Sequence, residues 1–184
     1  EVAYEAAEHI VYVLEGRGEA LYRGRTYPIV KGDFAYIAPS AEHSLANSSA
    51  APLRVALMGF RTPKGGAHGV PLKLPMANEE EAERQVVGNH PPSTLFIMEF
   101  APGGTNHPHH HANAEEIYLL LEGDGEMVAG GGMDGVEGRH PARAGDAYFY
   151  RLNATVGFYN NPEPNRPKAR ILAVRSYYPG MEPR

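Results

Sequence analysis

The sequence contains an internal repeat, and this repeat constrains the fold more than any other feature. Residues 8–18, EHIVYVLEGRG, align with residues 115–125, EEIYLLLEGDG, at an offset of 107. Residues 31–36, KGDFAY, align with residues 144–149, AGDAYF, at an offset of 113. A longer loop in the second copy, around residues 130–135, reconciles the two offsets. The repeat therefore predicts two units of one fold.

Both copies consist of short β-rich segments separated by turns. The chain has 21 glycines and 16 prolines in 184 residues, which favours tight turns over long helices. We predict an all-β chain with an N-terminal unit at 1–60, a linker at 61–92 with a helical turn at 78–84, and a C-terminal unit at 93–184. The predicted strands are 9–15, 19–23, 26–30, 34–38, 43–47, 53–60, 94–101, 107–111, 116–122, 125–129, 147–150, 155–160 and 169–178.

Charge and composition exclude several functions. The net charge is -5 and the basic residues are scattered, which argues against a nucleic-acid partner. The longest apolar runs are far shorter than the roughly 20 residues that cross a bilayer, so we expect a soluble protein without a membrane partner. The absence of cysteine excludes disulfides and thiolate ligands. Because the sequence opens at Glu1 without an initiator Met, we expect an N-terminal piece to have been removed; a cytoplasmic location is favoured, but the compartment stays open.

The candidate chemistry lies in one segment, residues 103–123, GGTNHPHHHANAEEIYLLLEG. Alternate side chains of a strand share a face, so His109 and His111 can hold one cation together. A carboxylate from the next strand would complete the set. We prefer Glu116 to Glu115 because the repeat aligns Glu116 with His9 and because its spacing to Gly123 fits. Two imidazoles and one carboxylate suit Fe, Mn, Zn or Ni.

This segment resembles the first motif of the cupin superfamily, and the Gly32-Asp33 and Gly145-Asp146 segments resemble its second motif. The resemblance covers nearly all of the chain. It implies two tandem cupin-like double-stranded β-helix (jelly-roll) barrels, a bicupin. It also implies one divalent transition metal per chain, held in the C-terminal barrel, and a small-molecule substrate.

The departures from the family pattern concern the fourth metal ligand. The second motif implies a histidine where the C-terminal copy has Val156. His107 is a candidate replacement, because period two places it on the face of His109 and His111, although Pro108 can break the strand there. A barrel tyrosine is the other candidate, namely Tyr148, Tyr150 or Tyr159.

The N-terminal copy shows the opposite departure. It retains the second motif, with Pro39, His43 and Asn47, but it has Val2, Tyr4 and His9 where the first motif implies metal ligands. We therefore expect a degenerate, metal-free first barrel. His9 and His43 are interpreted as hydrogen-bonded pocket or core residues rather than ligands.

The resemblance does not define the reaction, because the family includes enzymes of many classes and binding proteins. We favour a metal-dependent enzyme that acts on a small polar organic substrate in the C-terminal barrel, with Val156, Phe158 and Tyr148 lining the pocket. A three-donor site with open positions favours a dioxygenase-like oxidoreductase. The alternatives are a metal-dependent isomerase, lyase or hydrolase, a small-molecule binding bicupin without turnover, and a structural role. No catalytic residue is assigned.

The first copy starts at what should be its second or third strand, so its sheets lack strands that something must cover. We expect the run Ala169–Tyr178 to pair across to the first barrel, or a second chain to do so. A homodimer is the expected assembly.

Overall fold

A computed structural model describes residues 7–61, 93–131 and 136–177. All regular structure in these ranges is β-strand, which confirms the all-β prediction. None of these residues form a helix of the length and hydropathy that crossing a membrane requires. The chain divides into two compact units, Glu1–Arg84 and Gln85–Arg184. Residues 62–92 of the predicted linker, including its helical turn, lie outside the described residues.

The first unit contains six described strands in two antiparallel sheets. One sheet has the order β4-β1-β6 and the other the order β3-β2-β5. Val11, Val13 and Ile29 are buried between the sheets. The strands are β1 (Ala7–Glu15), β2 (Arg17–Tyr22), β3 (Arg25–Val30), β4 (Phe34–Ile37), β5 (His43–Ala46) and β6 (Arg54–Arg61).

The second unit contains eight described strands in two antiparallel sheets of four. Their orders are β11-β10-β13-β8 and β12-β9-β14-β7. The strands are β7 (Ser93–Phe100), β8 (Thr105–His110), β9 (Ala114–Glu122), β10 (Asp124–Gly131), β11 (Val136–Arg143), β12 (Ala147–Tyr150), β13 (Thr155–Asn160) and β14 (Ala169–Tyr177).

The core of the second unit is built by strand alternation. Tyr118 and Leu120 on β9 and Ile171 and Ala173 on β14 face inward at period two and are fully buried. The opposite sheet contributes the inward side chains of β10 and β13, including Phe158. Because Glu116 and Arg175 continue the same inward faces of β9 and β14, the alternation carries two charged residues into a largely apolar interior.

The structure confirms the repeat. Strands β1 and β9 are both nine residues long and are displaced by the predicted offset of 107. The described first unit has no counterpart of β7 or β8, so each of its sheets has one strand fewer than the matching sheet of the second unit.

Two strand predictions need correction. The sequence was expected to form no strand between 130 and 146, but β11 is an eight-residue strand that contains Gly138 and Pro141. These residues weaken strand propensity, yet β11 lies at a sheet edge, where proline is tolerated. The expected pairing of Ala169–Tyr178 with the first unit is wrong, because β14 lies between β7 and β9 and pairs with both of them. The alternative, that a second chain covers the first unit, stays a prediction.

Candidate metal centre

The structure brings together His109, His111 and Glu116, as the sequence predicted. One potential ligand atom from each of the three side chains lies within 4.8 Å of the others. Metal bonds of about 2.1 Å would close this spacing with small side-chain adjustments. His109 lies on β8 and Glu116 on β9, which belong to different sheets, and His111 follows β8 in the short connection between them. The group therefore lies where the chain passes from one sheet to the other.

A β-bulge in β8 decides which side chains face the barrel interior. Val156 on β13 pairs with His109, but Phe158 pairs with Asn106, so two steps on β13 match three steps on β8. An extra residue shifts the alternation of side chains by one. Asn106 therefore faces inward with His109, and its Nδ2 donates to the Tyr118 hydroxyl over 2.9 Å. The bulge leaves little space at Gly157, because a Cβ there would lie 3.0 Å from the Asn106 carbonyl oxygen.

The same bulge affects the predicted ligand His107. Its side chain is exposed, and it is not part of the group of three. Its backbone carbonyl instead accepts a hydrogen bond of 2.8 Å from Nδ1 of His109, in the tautomer that protonates this nitrogen. That tautomer leaves the lone pair of His109 on Nε2, where a metal could bind it. His107 thus orients a candidate ligand through its backbone.

The electrostatics of the group favour a cation. His111 Nε2 and Glu116 Oε2 are 3.3 Å apart and buried, yet neither atom makes a hydrogen bond. Buried polar atoms are rarely left without a partner. When His111 is neutral with its proton on Nδ1, both atoms present lone pairs to each other, and a shared cation satisfies both. The donors present therefore fit a divalent transition metal.

Glu116 is held from its other side by Arg175, a residue that the sequence reasoning missed. Arg175 is the Cα partner of Glu116 across β14 and β9, and its Nε donates to Glu116 Oε1 over 2.7 Å. Burial is the largest single influence on the pKa of Arg175 and lowers it, but the charge and hydrogen bond of Glu116, together with smaller effects of Tyr118 and Tyr177, make the net shift upward. Burial is also the main reason that the pKa of Tyr118 lies well above its usual value, so this phenol stays protonated. The signal in the sequence that could have identified Arg175 is a charged residue at an inward-facing position of an apolar strand.

The predicted pocket residues Val156 and Phe158 are fully buried and face inward. Val156 stands directly opposite His109 and offers no donor atom. Tyr148 is half-buried and its ring stacks on Tyr150 at 6.5 Å.

The proposed tyrosine ligands have other contacts. The hydroxyls of Tyr148 and Tyr150 donate to backbone carbonyls at 3.4 and 3.0 Å, and the ring of Tyr159 lies under the Arg139 guanidinium at 3.9 Å.

Two histidines are buried among the described residues of the first unit, His9 and His43, as expected for core residues. The Nδ1 atom of His43 lies 2.9 Å from the Ala41 carbonyl oxygen and donates to it when protonated. His9 is paired across β1 and β6 with Gly59, where an added Cβ would lie 2.9 Å from His9 Nε2. Positions 2 and 4, which correspond to His109 and His111, lie outside the described residues. Among the residues that are described, the one group of three metal-ligand side chains is in the second unit.

Fold and site together define a protein of two tandem β-barrels with one candidate three-donor metal centre. The family model described as "Cupin domain" matches residues 2–70 and 96–166, so the chain belongs to the cupin family. Both parts of the repeat are matched, which agrees with a bicupin.

Comparisons with individual proteins agree with this assignment. Over 91 residues the chain is 32% identical to "Germin-like protein 8-2" from Oryza sativa subsp. japonica, an alignment that spans 48% of this chain and 40% of the germin-like protein. The protein Ylba from E. coli superposes with a TM-score of 0.73 at 20% identity, covering 95% of this chain and 69% of Ylba. AerE from Microcystis aeruginosa superposes with a TM-score of 0.72 at 17% identity, covering 97% of this chain and 81% of AerE. At these identities the two structures show the shared fold alone.

Proposed function

We propose that the chain is a metal-dependent enzyme that acts on a small polar organic substrate in the second unit. The observation that carries this proposal is the buried pair of His111 Nε2 and Glu116 Oε2, which lie 3.3 Å apart without hydrogen-bond partners, beside His109. Membership of the cupin family supports a metal in this place.

The surrounding residues fix the donors. The His107 carbonyl orients His109, and Arg175 holds Oε1 of Glu116, so that Oε2 is the oxygen directed at the imidazoles. Outer contacts of this kind set the orientation and basicity of metal ligands. A divalent metal held here would supply Lewis-acid or redox chemistry at the positions that the protein leaves open.

Within this proposal, a dioxygenase-like oxidoreductase is the leading reaction class. It is supported by the donor count, because Val156 places an apolar side chain opposite His109 where a fourth donor would otherwise stand. Fewer protein ligands leave more positions for a chelating substrate and a co-substrate. A metal-dependent isomerase, lyase or hydrolase is the alternative within the enzyme class.

A small-molecule binding protein without turnover is the second candidate function. The observation that favours it is again Val156, because a centre that lacks a fourth protein donor can hold a metal and a ligand without converting the ligand. Metal-dependent binding of a ligand that is recovered unchanged would select this candidate.

Metal analysis of the protein purified without a histidine tag tests the proposal. We expect about one equivalent of a transition metal per chain, lost in His109→Ala and His111→Ala. His110→Ala is the matched control, because His110 is exposed on the same strand, and it should retain the metal. His107→Ala removes the predicted fourth ligand but keeps the backbone carbonyl that orients His109, so we expect it to retain the metal, and metal loss would count in favour of His107 as a donor. Wild-type metal content in both His109→Ala and His111→Ala would refute the proposed centre.

The reaction class is tested with the metal-loaded protein and a panel of small polar substrates. Substrate-dependent O₂ consumption with Fe(II) is the expected result. Turnover with Mn(II) or Zn(II) in the absence of O₂ would select the isomerase, lyase or hydrolase alternative.

A further inference from the structure

Arg175 is a positively charged side chain in direct contact with a candidate metal ligand. Its Nε donates to Glu116 Oε1 over 2.7 Å, and its guanidinium lies 4.9 Å from the centre of the Phe96 ring. The side chain of Arg175 is 25% exposed, whereas that of Glu116 is 1% exposed. The cation is therefore fixed beside the site and largely shielded from water, where a charge acts strongly on its neighbours.

The charge of the centre follows from its members. A divalent metal contributes two positive charges, Glu116 contributes one negative charge, and the two imidazoles bind as neutral ligands. Arg175 adds one positive charge, which leaves the loaded site with two. Glu116 is the one buried carboxylate among the described residues, so no second buried acid offsets this excess.

We infer that the open positions of this centre select small organic anions, carboxylates in particular, and that Arg175 is the residue that determines this specificity. The inference rests on the proposed metal centre and adds a substrate class to it. An anion brought to the metal also lowers the excess charge that Arg175 creates, and charge complementarity of this kind favours one class of ligand over another. A neutral ligand of similar size gains no such benefit.

The test uses the full chain loaded with Co(II), whose visible absorption reports ligands that enter the open positions. Azide and oxalate are the anionic probes, and imidazole is the neutral probe. The variants are Arg175→Met, which removes the charge, and Arg175→Lys, which keeps it. Arg170→Met is the matched control, because Arg170 lies on the same strand but pairs with Glu99 at 3.1 Å instead of with a candidate ligand.

We expect the dissociation constants of azide and oxalate to rise about tenfold or more in Arg175→Met, and that of imidazole to change less than about twofold. Arg175→Lys should lie closer to wild type, and Arg170→Met should match it. Arg175→Gln, which keeps a donor for Glu116, replaces Arg175→Met if that variant does not melt cooperatively. Unchanged anion affinity in a folded, Co(II)-loaded variant without the charge would overturn the inference and leave the metal centre intact. Failure of the wild-type chain to bind Co(II) would instead refute the proposed function itself.

Discussion

Replacing Val156 by histidine should restore a fourth metal donor at a measurable cost in stability. Val156 is fully buried in the core and stands directly opposite His109 across β13 and β8. Directly opposed residues have Cβ atoms about 4.5 to 5.5 Å apart on the same face of the sheet. An imidazole at position 156 would therefore project into the same space as the imidazole of His109.

The magnitude of the effect has two parts. Removing a fully buried valine loses about 1.5 to 3 kcal/mol of hydrophobic stabilisation, and burying an imidazole without hydrogen-bond partners costs additional free energy. The metal-free Val156→His variant should therefore be about 2 to 4 kcal/mol less stable than wild type. An extra ligand that tightens metal binding tenfold returns about 1.4 kcal/mol. At a metal concentration 100 times the wild-type Kd, wild type gains about 2.7 kcal/mol and the variant about 4.1 kcal/mol. The stability gap should therefore narrow by about 1.4 kcal/mol when metal is added.

The assay is chemical denaturation of both proteins with Zn(II) and with chelator, together with the Kd of Zn(II) from competition with a chelating dye. Val156→Phe is the matched control, because it introduces a ring of similar size without a donor. Its stability gap to wild type should be the same with and without metal. A gap for Val156→His that metal does not narrow, in a variant that folds, would show that position 156 does not face the proposed site.

Two further predictions concern the bulge and the first unit. Gly157→Ala should lower the free energy of unfolding by about 1 to 3 kcal/mol, because its Cβ would lie within 3.0 to 3.2 Å of the backbone of Asn106 and Pro108. Gly138→Ala is the control, because its Cβ meets a side chain at 3.1 Å. Equal losses of unfolding free energy for the two variants in urea denaturation would contradict the argument. Burial lowers the pKa of His9 from its usual value of 6.5, so the unfolded chain binds more protons than the folded chain. The free energy of unfolding should therefore fall as the pH drops below 6.5. A His9→Gln variant with an unchanged slope of stability against pH would exclude this group as the cause.

The sequence was sufficient for the architecture and for three candidate ligands. The repeat at an offset of 107 marks two matching strands, and alternation within the His-x-His segment places His109 and His111 on one face. Both inferences use neighbours that are close in sequence or related by the repeat. Local patterns of this kind can be found without knowing how distant strands pair.

The remaining features depend on strand pairing between distant segments. Arg175 lies 59 residues from Glu116, and only the register of β14 against β9 shows that the two side chains meet. The position of His107 depends on a bulge that is defined by the pairing of β8 with β13, not by β8 alone. A strict alternation of side chains across Pro108 predicted that the side chain of residue 107 faces inward. The bulge shifts the alternation by one residue, so the side chain of Asn106 faces inward instead. The strand β11 was missed for the same reason. Its glycine and proline residues lower strand propensity, and only its pairing at the edge of the sheet shows that it forms.

The glycine at position 59 bears on how the two halves of the chain could have diverged. Gly59 occupies the place opposite His9 that Arg175 occupies opposite Glu116, and a Cβ there would lie 2.9 Å from Nε2 of the His9 ring, so the ring would have to move. An acid placed at position 9 would stand opposite a glycine, which offers no cation, and a cation placed at position 59 would meet the His9 ring. The two positions lie on separate strands, β1 and β6, and each substitution depends on the other. The acid–cation pair of the second unit can therefore be transferred to the first unit only as a double substitution.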